Sequence, residues 1–366
     1  MLASSAGARI NLANIFIEYA NSERSRRRIL IDKYCLMLSA HAYETPKLWT
    51  MAAKGVFLGV RSRYDYMALE IESRGENTPV QALVSWPLSD ELQVRLLYDL
   101  GPSMSHVSRS VFETWGINED VVRKQAMANL RSLERPTWAD VGEGVFQLIS
   151  TVAYEESFFL LDEVMAMLPF VEDAVVMPVN RGVLVAASAR SNAALVAMLR
   201  HAFTSLQEKP WPMAGSMLIR SGSDWVKFVP QGDIARFAIA VQRLSRAQIY
   251  RDQKDALEKH CEKIGDDVFV ATYDLRQRGD DIDGIFSWCT WAQGVRTLLP
   301  KSDVIAMGKG VIEGNGETLF VKWNHVERIC GRYLQPTDEN PIRFRVHDFP
   351  NDEEWTQLKD LKATDS

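Results

Sequence analysis

The chain has 366 residues, of which 46% are apolar, 10% aromatic and 25% charged, and its formal net charge is -6. This composition excludes a disordered protein, and the acidic balance excludes one whose whole surface grips nucleic acid. At this length two domains are expected, with enough core to need neither disulfide nor metal.

From residue 11 to 38 the apolar residues Leu12, Phe16, Tyr19, Leu30 and Tyr34 recur at helical intervals, with a break near Asn21 and Ser22, which predicts two short helices in a helical N-terminus spanning 1–50. Arg24, Arg26, Arg27 and Arg28 follow the break. They read as a solvated helix start or, through Arg26 and Arg27, as a contact for an acidic partner; no interleaved aromatic offers a base-stacking platform. After Trp49 come strand-like runs at 56–60, 66–71, 81–86 and 92–98. Asn118 with Glu119 and Asp120 predicts a capped helix to about 133. Its stripe of Val122, Ala126 and Leu133 places Asn129 on the buried face, where an amide is expected to bond backbone groups of a neighbouring loop. A strand at 145–151 follows, then a helical stripe through Leu160, Leu161, Val164, Met165 and Leu168 that Pro169 stops. Hairpins are expected at 174–187 about Gly182 and at 217–229 about Gly222, with a helix through Leu195, Leu199, Phe203 and Leu206 between them.

Pro230, Gln231 and Gly232 punctuate the chain, so the domains are set at 1–232 and 233–366. The second opens with a long helix from 234 to 264 that Gly265 closes. Strands are expected at 268–273, 284–291, 304–307 and 317–323, the last after a turn of Gly314, Asn315 and Gly316. A short helix at 327–333, an edge strand at 342–346 and a final helix at 353–361 complete the chain. Strands and helices mix without a βαβ rhythm, so the fold class is α+β: two mixed α/β domains with small, mainly antiparallel sheets.

No GxSxG, HExxH, GxxxxGK[ST], GxGxxG or EF-hand loop occurs. Cys35, Cys261, Cys289 and Cys330 form no CxxC and share no metal-ligand spacing with the six histidines, so no metal or cofactor is expected. Asp266, Asp267, Asp280, Asp281 and Asp283 match no calcium loop and read as acids of a solvated turn. No secretory pattern and no run of about 18 apolar residues appears, which points to the cytoplasm and to no membrane partner. The densest chemical neighbourhood is Ser287, Trp288, Cys289, Thr290 and Trp291. On a strand, residues 287, 289 and 291 share one face while Trp288 and Thr290 share the other. With Asp303 and His325 downstream, Cys289 as nucleophile, His325 as base and Asp303 as orienter make an enzyme reading; a packed strand core is the plainer one.

Three stretches, ARINLANIFIEYANSERSRRRILIDKY (8–34), LQVRLLYDLGPSMSHVSRSVFETWGINEDVVRKQAMANLRSL (92–133) and SFFLLDEVMAMLPFVEDAVVMPVNRGVLVAA (157–187), stand out. Together they resemble the bacterial YtpQ-like family of uncharacterised proteins. The resemblance covers about residues 8–230 and implies a fold relationship; it carries over no catalytic residue. The expectation for function is a non-catalytic cytoplasmic binding protein, an adaptor or an immunity-type inhibitor, working through protein-protein contacts. It rests on the missing catalytic motifs and the ten tryptophans. The acidic balance favours a basic partner over nucleic acid. Trp288, outward on its strand, is the expected anchor of a partner-binding face.

Overall fold

Unbroken or alternating apolar runs in this chain pair into sheets, and apolar residues spaced three or four apart coil into helices. A computed structural model describes residues 2–3, 9–10, 12–40, 44–75, 80–101, 103–311, 314 and 316–364. The fold is α+β. The chain divides into two compact units, residues 1–63 with 81–238 and residues 64–80 with 239–366.

The first unit carries the helices Leu12–Asn21 and Arg27–Ala40 and a six-stranded antiparallel sheet. In spatial order the strands are Asp224–Phe228, Met217–Ser221, Ala174–Asn180, Val183–Ser188, Val145–Ile149 and Thr137–Gly142. Gly182 and Gly222 turn its hairpins with φ of 78° and 61°, a region that side chains disfavour. A smaller sheet joins Val56–Ser62, Leu92–Asp99, Ser85–Pro87 and Met104–His106. Against its first strand lies the helix Glu119–Ser132, whose cap Asn118 accepts from the Asp120 amide and whose buried stripe is Val122, Ala126 and Leu130. Leu130 takes the place expected for Leu133 because the helix ends one residue before Leu133. The Asn129 side chain donates to the carbonyls of Ala53 and Val56, each at 2.7 Å, and so ties the helix to the loop entering the strand. The stripe ending at Pro169 forms only a 3-10 segment, Glu155–Leu160, and one helical turn, Asp162–Met165.

The second unit is built on most of the long helix Asp233–Ile264, which Gly265 ends at φ 69°. The division between units falls inside this helix, after residue 238, and not at the Pro-Gly punctuation. The unit also recruits residues 64–80 from the first half of the chain. The run at 66–71, expected as a strand, is the helix Met67–Glu72. Met67 and Ile71 stand one helical turn apart, and both are buried with Ile249, Leu257 and Cys261. One sheet orders Phe269–Val270, Thr297–Pro300, Arg343–Val346 and Gln335–Pro336. Arg343–Val346 is therefore an inner strand where an edge strand was expected. Arg343 is fully buried and donates to Gln253 and to the carbonyls of Ala271 (2.8 Å), Leu298 (3.1 Å) and Tyr250 (3.2 Å). The second sheet orders Asp274–Gln277, Ile285–Ala292, Val304–Lys309 and Glu317–Lys322. Trp323 does not close the last of these strands; it opens the helix Trp323–Cys330. Asn315 of the expected turn lies outside the described residues, as does His41. The final helix is Asp352–Thr364. Among the described residues no helix is long and apolar enough to cross a membrane.

Candidate functional site

The strand Ile285–Ala292 alternates in burial as its sequence predicts. Ile285, Ser287, Cys289 and Trp291 face the core, while Phe286, Trp288, Thr290 and Ala292 face outward. The register carries the outer face across the sheet, because Trp288 stands opposite Asp274 and Val304, and Ala306 stands opposite Phe320.

Cys289 does not meet the requirements of a nucleophile. Its side chain is 1% exposed, its sulfur accepts from Ser302 Oγ at 3.3 Å, and burial pushes the thiol up to about 12. A catalytic cysteine needs an accessible thiolate. Asp303 serves as a structural link: it accepts from the Ser287 amide at 2.6 Å and from the Ser287 hydroxyl, and it pairs with Arg243 at 2.6 Å. His325 sits on the first turn of helix Trp323–Cys330 and lines a cavity of about 800 Å³ together with Asp303 and Arg243. Of the three residues of the triad reading, Asp303 and His325 line one cavity, while Cys289 is buried in the core and does not line it.

That cavity lies at the sheet end where Ile285–Ala292 and Val304–Lys309 begin and Glu317–Lys322 finishes. Arg278, Phe286, Val304 and Phe320 line it and also line a second, smaller hollow of about 210 Å³ with Arg276 and Trp288. The two hollows share a wall, so the outer face is grooved. Trp288 is half-buried: the Arg276 guanidinium lies 5.3 Å from its ring centre and Phe320 6.4 Å away. Arg278 covers Phe286 in the same way at 4.7 Å. Phe320 remains 55% exposed. Sequence reasoning missed Phe320, Arg276 and Arg278, whose place beside Trp288 comes from strand pairing, although the outward phase of Phe320 on 317–322 was a readable signal.

Trp115, Trp225, Trp291, Trp323 and Trp355 are buried, and Trp49, Trp86, Trp138, Trp211 and Trp288 are half-buried. Arg26 and Arg27 belong to the first unit: Arg27 stacks on Tyr19 at 4.8 Å and donates to the Ser22 carbonyl, while Arg26 is exposed. Of the acids at 266–283, Asp266 pairs with Arg296 and Arg345, and Asp281 caps the Ile282 amide. Among the described residues no group of three or more His, Cys, Asp or Glu is placed to hold a metal ion. Compared with known proteins, the chain matches no family model, no curated protein and no solved structure.

Proposed function

We propose that this is a non-catalytic cytoplasmic binding protein, an adaptor or an immunity-type inhibitor, that docks a protein partner on the outer face of the sheet formed by Asp274–Gln277, Ile285–Ala292, Val304–Lys309 and Glu317–Lys322. The observation that carries the reading is the exposed Phe320 beside Phe286, Trp288 and Val304, flanked by the exposed Arg276 and Arg278. A contiguous apolar patch rimmed by cations costs solvation in the free protein and has the composition of an interaction site. Four free cysteines suit a reducing compartment. Kinship with YtpQ-like proteins over residues 8–230 is proposed on the three stretches quoted above and adds no activity to this reading.

Co-purification tests it. Tagged full-length protein is recovered from the cells that make it, beside Phe320→Ser and Arg276→Glu variants. Both sites are exposed, so the variants are expected to melt within a few degrees of the parent, while the specific partner of the parent is lost from both. Equal retention by all three proteins contradicts the reading.

A further inference from the structure

We infer that the grooved face takes a linear peptide segment bearing one bulky apolar side chain beside acidic residues. The inference rests on the binding reading above and names the chemistry of the partner. The smaller hollow, at about 210 Å³, falls below the roughly 300–1,000 Å³ of small-molecule sites, and its walls are Phe286, Trp288, Val304 and Phe320. It has the size and lining for a single large side chain. At its rim Arg276 and Arg278 are exposed. Stacking on Trp288 and Phe286 holds both guanidinium groups in place, so little side-chain entropy remains to be lost when they grip a carboxylate. Planar forks that are already ordered are suited to carboxylate recognition with two parallel hydrogen bonds.

The same contacts weigh against nucleic acid. Guanidinium groups already cover the ring faces of Trp288 and Phe286 that bases would need for stacking. The overall charge of -6 suits a basic partner, whereas the smaller hollow is lined by Arg276 and Arg278 and by no acid, which suits an acidic one there.

The experiment uses full-length protein and a synthetic peptide array in which Asp and Glu are permuted around one Leu, Ile or Phe. Two control sets carry Lys for the acids or Ser for the apolar residue, and a single-stranded deoxythymidine oligomer is a third probe. Hits are titrated as fluorescein conjugates by anisotropy. Acidic peptides with the apolar residue are expected to saturate the protein, with both control sets at least about tenfold weaker. Arg276→Ala with Arg278→Ala is expected to lower affinity by about tenfold or more, and Phe320→Ser to abolish the preference for the apolar residue. The inference is overturned if the array yields no saturable binder, if the basic set binds better, or if the oligomer binds in a manner governed by Arg276 and Arg278. In those cases a co-purified partner that still depends on Phe320 keeps the docking face and removes only the peptide chemistry. Peptide binding indifferent to all three substitutions removes the face as well.

Discussion

Cys289, Cys261 and Cys330 are buried, whereas Cys35 is exposed. Burial raises all three buried thiols, Cys289 and Cys330 to about 12. Native protein at neutral pH is therefore expected to take up iodoacetamide at Cys35 alone, and all four thiols to label in denaturant; rapid native labelling of Cys289, read by mass spectrometry, would restore the cysteine enzyme. Arg343 is the opposite kind of residue, a charge in the core held by Gln253 and three carbonyls. Arg343→Met leaves those carbonyls unpaired, and urea unfolding is expected to show a loss of about 3–5 kcal/mol. Asp252 on the long helix is held up at about 6, against an ordinary 3.8, mainly by burial, with a hydrogen bond from Gln248 opposing. Its folded value exceeds its unfolded one, so its contribution to stability is full below about 3.8 and is lost as pH rises through about 6. Asp252→Asn should thus gain about 2 kcal/mol over the parent near pH 8 and nothing near pH 4 in urea titrations. The role of Asn129 was legible because a polar residue on an apolar helical stripe has few ways to be satisfied. Arg343 was not, because an arginine on a short alternating strand reads as solvent-facing until a second sheet strand and the long helix are placed against it.

Elements with one clear period were legible in the sequence. The Gly182 and Gly222 hairpins, the capped helix after Asn118, the long helix to Gly265 and the inward phase of Ile285–Ala292 each follow from local chemistry. The helix Met67–Glu72 was misread as a strand because six residues suit either period, and only Met67 and Ile71 meeting the long helix decides between them. Thr137–Gly142 and Asp274–Gln277 passed unseen because both are largely exposed and show no buried apolar alternation, and pairing alone makes them strands. The recruitment of residues 64–80 by the second unit is testable at this scale. Ile71→Ala is expected to cost about 2–4 kcal/mol, and hydrogen exchange should show the lost protection around 249–261 and 270. Loss confined to 92–99, in the first unit, would contradict the assignment.

At the scale of the whole molecule the sequence carries a mean charge and a composition, and neither records which side chains share a face. The two arginines that mark the candidate site lie on Asp274–Gln277 and the turn after it, Trp288 lies on the next strand, and Phe320 comes from the far edge of the sheet. They become neighbours only when the order 274–277, 285–292, 304–309, 317–322 is known. Trp288 faces outward as its strand phase predicts, with Arg276 over its ring, and Phe320 is the more exposed aromatic of the face. The most direct measurement of the central claim is site-specific photocrosslinking in the cells that make the protein, with benzoylphenylalanine in place of Phe320 and, as a control, in place of the exposed Phe269. The account predicts one discrete crosslinked protein species at position 320, absent at 269 and suppressed when Arg276 and Arg278 are changed to Glu. No crosslink at 320, or the same species from both positions, would contradict it.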